Sequence, residues 1–161
     1  MQKYKAIALT VLVGTALLVV PGFAQDADDN DDDDTVAVPP AAQKVTRASK
    51  DVPELILGSA ADSFTVNQRD FELIAGQGYR WKITSAAGLE YKFATDFFRN
   101  VWMNQIVINN LEVHMNGAPA WLEFDKEGTM QVQFTTIRPG TYRWSVPDLA
   151  DKGMRGTITI K

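Results

Sequence analysis

The sequence predicts an all-β sandwich with one short helical insert. Three observations carry that expectation. From residue 63 onward the chain breaks into short runs that alternate apolar with polar residues, the period of a half-buried strand. Turn signals built on Gly, Pro and Asn separate those runs. Helical spacing surfaces in one stretch only, residues 94–103.

In chain order, Val66 stands in the β-rich run SFTVNQ, and Phe71–Ile74 is a short apolar run closed by Ala75-Gly76-Gln77-Gly78. Tyr79-Arg80-Trp81-Lys82-Ile83-Thr84 alternates large apolar with charged or polar side chains, and Leu89–Phe93 alternates again after Ala86-Ala87-Gly88. In ATDFFRNVWM, Thr95 or Asp96 can cap a helix, and Phe97, Phe98, Val101 and Trp102 recur at helical spacing. Further strands are expected at Gln105–Asn109, Glu112–His114, Trp121–Phe124, Met130–Thr135, Thr141–Ser145 and Thr157–Lys161, with turns at Asn116–Gly117, Asp125–Gly128 and Arg138–Gly140. That makes eight or so strands.

The first 52 residues read differently. Residues 1–24 have the make-up of a secretory signal: Lys3 and Lys5, the apolar run Ala6–Val20, a break at Pro21–Gly22, and small residues at Gly22 and Ala24 before a cleavage point at Gln25. The apolar run is shorter than a membrane span requires. No cysteine follows the cleavage point to take a lipid. Residues 25–34 hold seven of the chain's 20 acidic residues, a density that repels itself and favours disorder. Residues 35–52, with Pro39–Pro40, read as a linker, and the folded domain is expected over 53–161. Periplasmic localisation and no membrane contact after cleavage follow.

Composition excludes much chemistry. The 161 residues contain no cysteine and one histidine. Disulfides, thiolate nucleophiles and Cys-ligated metal centres are out. The acidic run accounts for the net charge of −4, so the remainder is nearly neutral, and no basic patch suggests nucleic acid as a partner.

The stretch FTTIRPGTYRWSVPDLADKGMRGTITIK resembles the end of the cupredoxins, which close with an aromatic strand, PGTY, a ligand loop and a GM-x-G strand. Gly76, Gly78 and Tyr79, with the strand after them, are similar to an earlier part of cupredoxin-like domains. The resemblance spans about 63–161 and implies a Greek-key β-sandwich. It also implies where a type 1 copper would sit, a centre that takes two His, one Cys and a weak axial ligand. Counted back from Gly153–Met154, the Cys position is Trp144, give or take one residue. The C-terminal His position is Leu149, the axial Met is Met154, and the first His falls in Gly88-Leu89-Glu90-Tyr91. Three of four ligands are absent, so no cofactor is expected at that site.

Other candidates are few. His114 and Met115, with Met154, offer imidazole and thioether donors that suit Cu(I), but neighbours on a strand point to opposite faces, so the pair chelates together only from a loop. Asp26, Asp28 and Asn30 match the start of a calcium loop, but Asp31 replaces its Gly and Ala37 its Glu. Four Trp are expected mostly in the core, and Asp96–Trp102 is the expected exposed aromatic patch. No nucleophile–base arrangement exists beyond a Glu112–His114 contact on one strand face, so no enzyme is expected. The sequence therefore points to an exported binding or accessory module that recognises a protein partner or small ligand through Trp144, Leu149, Phe97, Phe98 and Trp102. The competing expectation is a periplasmic handler of Cu(I) or another ion, in copper or iron metabolism, through His114, Met115 and Met154.

Overall fold

The computed structural model describes residues 44–161. The signal, the acidic run and the linker up to residue 43 lie outside the described residues. Among the described residues, ten strands form two five-stranded sheets. Sheet 1 has the order β1 (Lys50–Leu57), β3 (Gly78–Ser85), β8 (Gly128–Thr136), β5 (Val101–Ile108), β6 (Leu111–His114). Sheet 2 has the order β2 (Asp70–Leu73), β10 (Arg155–Ile160), β9 (Gly140–Ser145), β4 (Tyr91–Thr95), β7 (Leu122–Phe124). The chain crosses repeatedly between sheets. β1 with β3 and β2 with β10 pair in parallel; the other pairs are antiparallel.

Alternation drives the sandwich. Tyr79, Trp81 and Ile83 on β3, Val132 and Phe134 on β8, Tyr142 and Trp144 on β9, and Ile158 and Ile160 on β10 all turn inward and are buried. Aromatic rings fill the centre. Trp81 meets Phe71 at 4.9 Å and Phe93 at 5.7 Å edge-on, and Phe97 meets Phe134 at 5.0 Å. Edge-to-face contacts of this kind add to the area each ring buries.

β1 begins at Lys50, ahead of the domain start expected at Pro53. Pro53 disguises the strand in the sequence. It is tolerated because β1 is a sheet edge and its register shifts between Val52 and Leu55, where no ladder N–H is needed. Thr46 is also tied in: its amide donates to the side-chain carbonyl of buried Gln77 at 2.8 Å, and Gln77 donates to Ala48 O at 2.8 Å. The expected strand around Val66 reduces to one bridge, to Leu57.

The expected helical insert is a single 3-10 turn, Phe97–Asn100, and Val101 and Trp102 already belong to β5. Of the expected caps, Thr95 Oγ1 accepts the Phe97 amide at 3.1 Å, while Asp96 makes no capping bond. Asp96 Oδ1 accepts from the Arg143 amide at 2.8 Å, and Thr95 Oγ1 donates to Arg143 O at 2.7 Å. Both bonds hold the turn to β9 instead of extending a helix. A second 3-10 segment, Pro147–Lys152, which the sequence left as loop, joins β9 to β10.

Candidate functional site

The β9–β10 loop is built tightly. Tyr142 donates its hydroxyl to Arg138 O at 2.8 Å and fixes the turn that enters β9. Val146 N donates to Met154 O at 2.9 Å, and Met154 N to Leu149 O at 3.3 Å, which close the loop on itself. Gly153, at φ 93°, ends the 3-10 segment in the left-handed conformation that favours glycine. Trp144 is 1% exposed, stacks on Phe93 at 5.7 Å, and donates its indole N–H to Arg69 O at 2.9 Å. Gly156 lies opposite Trp144, and a Cβ there would run into both the Arg69 carbonyl and the indole nitrogen. Met154 is fully buried and Leu149 half-buried.

This corrects the expected partner surface. Trp144 offers nothing to a partner, because it faces the core in phase with Tyr142. Phe97 and Phe98, at 0% and 1% exposure, are core residues too. Of the expected contact residues, Trp102 stands well out in solvent, at 65% exposure, and Leu149 is half-buried. It lies out of phase with Val101 and Met103, which turn inward. Beside it runs a groove of about 330 Å³ lined by Phe98, Arg99, Trp102, Met103, Met115 and Ala118, among others. Arg99 is exposed.

His114, Met115 and Met154 do not converge. His114 ends β6 with an exposed side chain whose Nε2 lies 3.4 Å from Glu112 Oε2. Met115 continues the pairing, its amide donating to Asn104 O at 2.9 Å, so strand alternation sends its side chain to the other face, against the core. Met154 is buried where the chain enters β10, in the other sheet.

Two features escaped sequence reasoning. Glu90, Glu123 and Asp125, all exposed, bring carboxylate oxygens within 4.8 Å of one another. The β4–β7 register that joins them leaves no trace in the sequence. Trp121, expected in the core, is 44% exposed, with Lys92 Nζ 4.0 Å from its ring centroid and its indole N–H donated to Glu123 at 2.9 Å.

Solved structures with a similar fold include multicopper oxidases. One from Campylobacter jejuni, described as a metallo-oxidase, aligns over 73% of this chain with a TM-score of 0.52 and 11% identity. One from Pediococcus acidilactici aligns over 75% with a TM-score of 0.53 and 14% identity. The fold is cupredoxin-like. This cupredoxin-like chain spans only 31% and 28% of the length of those two proteins, and at such identity the likeness concerns the fold alone. No family model matches the sequence, and no curated protein matches it significantly.

The fold implies copper at the β9–β10 loop, but the side chains there do not fit a type 1 centre. The positions offer a buried indole already bonded to Arg69 O, an aliphatic Leu149 and one thioether, Met154. That centre requires a thiolate and two imidazoles. Tyr91, in the stretch Gly88–Tyr91 where the first His is expected, is buried with its hydroxyl donated to Ser63 O at 2.7 Å; burial pushes its pKa up.

Proposed function

We propose that the chain is an exported accessory module on a cupredoxin-like frame, which holds no type 1 copper, catalyses no reaction and binds a protein partner. The observation that carries this reading is Trp102, held out in solvent next to Arg99 at the mouth of an apolar groove. Trp and Arg concentrate binding energy at interfaces, and Met is enriched there. The groove fits an apolar side chain of the partner, and Arg99 fits a carboxylate beside it. Export rests on the residues before Gln25 that read as a signal. Among the described residues, no helix is long and apolar enough to cross a membrane.

Capture of periplasmic proteins on the immobilised mature chain, compared between wild type and Trp102→Ala, tests this. A specific partner should be retained by wild type and lost at least about tenfold in the variant. Equal retention by both would reject the surface. A second reading has its own support: Met103 and Met115 line the same groove, and two thioethers suit Cu(I). Cu(I) binding that Met115→Leu removes would favour that reading.

A further inference from the structure

Strand β6 is an open edge. All four residues, Leu111–His114, are exposed, with Leu111 at 72% and Val113 at 53%. The other three edges are guarded in familiar ways. β1 carries Pro53 and a register shift. β7 has only three residues. β2 presents Asp70 and Glu72 outward, engaged by Thr157 and Lys161. β6 has no proline, lysine or bulge.

Register fixes what β6 offers. Val113 pairs with Ile106 and Leu111 with Ile108, and Ile106 is buried, so Val113 and Leu111 stand on the core-side face that sheet 2 leaves uncovered. Glu112 and His114 stand on the outer face. The hairpin turn Asn109–Asn110, with φ of 50° and 62°, closes a hydrogen-bonded Ile108–Leu111 pair. The Met115 amide bonds to Asn104 O in the same phase. Residues 111, 113 and 115 therefore spend their backbone groups on β5. The amides and carbonyls of Glu112 and His114 point away from the sheet.

We propose that β6 pairs antiparallel with β6 of a second copy of this chain. Glu112 then lies opposite His114 of the partner subunit, and Val113 opposite Val113 of the partner subunit. This register uses the outward-pointing backbone groups of both strands and sets unlike groups against each other. Sliding one way opposes Glu112 to Glu112 of the partner subunit; sliding the other opposes His114 to His114 of the partner subunit. Odd shifts fail, because Val113 has no free backbone group. Both exchanged Glu–His pairs join the 3.4 Å contact already present within each strand, so carboxylates and imidazoles alternate. The two Val113 meet at a non-hydrogen-bonded pair, where side chains are closest. Leu111 meets Met115 of the partner subunit. The result is a continuous ten-stranded sheet. Four residues per chain bury less than a standard interface, so the dimer is weak and depends on concentration.

Sedimentation equilibrium of the mature chain, from roughly 5 µM to 1 mM, tests this, with a dissociation constant expected in the micromolar to submillimolar range. Val113→Lys should weaken the dimer tenfold or more. Glu112→Lys and His114→Glu should each weaken it alone, and mixing the two variants should restore it, since Lys then faces Glu and His faces Glu. Hydrogen exchange should slow at the Glu112 and His114 amides with rising concentration and stay constant at Leu111 and Val113. A chain that stays monomeric throughout, a dimer indifferent to Val113→Lys, or a mixture no tighter than the single variants would overturn the proposal.

Discussion

Trp144 and Trp102 belong to the two sheets and meet opposite fates. Trp144 is 1% exposed, stacked on Phe93 and bonded to Arg69 O; Trp102 is 65% exposed beside a groove. Phase decides the difference. Trp144 is two residues from inward-facing Tyr142 and shares its face. Trp102 sits between inward-facing Val101 and Met103 and takes the other. Around Trp144 the loop is closed by its own hydrogen bonds, and glycine at 156 lets β10 approach. Around Trp102 an apolar groove stays open. The β9–β10 loop, where the sequence resemblance would put a type 1 copper, is packed with core residues, whereas the exposed apolar side chains Trp102, Leu111 and Val113 lie on β5 and β6.

The two tryptophans give the sharpest test of that contrast. Trp144→Ala should cost about 4 kcal/mol of folding stability, since it empties a buried indole site and removes the indole bond to Arg69 O, which keeps only the Thr157 amide. Trp102→Ala should change stability by less than about 0.5 kcal/mol while losing the bound partner. Urea denaturation of both variants reads the difference, and equal costs would erase the distinction between the regions.

A smaller effect concerns Tyr91, at the start of β4. Burial raises its pKa above the ordinary value of about 10, so the folded state holds the phenolic proton more tightly than the unfolded chain does. Its contribution is complete below about pH 10 and is lost as pH rises from there through the raised folded value. Thermal melts from pH 8 to about 11 should show a decline that Tyr91→Phe flattens. At neutral pH that variant should lose about 1 kcal/mol with the Ser63 bond.

Much of the sandwich was legible because β3, β8 and β9 alternate cleanly. β1 was hidden by Pro53, which is harmless on an edge but reads as a breaker. The helical insert was overextended because Phe97, Phe98, Val101 and Trp102 also satisfy helical spacing, whereas the backbone turns extended at Val101, which begins β5. The burial of Trp144 was readable from its phase with Tyr142. The groove was not, because nothing local in the sequence says that Met115–Ala118 returns beside Phe98 and Arg99. The exposure of β6 was equally hidden, since edge position depends on strand order.

Copper content decides the central claim most directly. The mature chain, purified from a periplasm without chelators, is analysed for metal and then titrated with Cu(I) against a competing chelator. The mature chain should carry no stoichiometric copper and should bind Cu(I) no tighter than micromolar. Stoichiometric copper that Met154→Leu removes would restore a metal centre to the β9–β10 loop and contradict that claim.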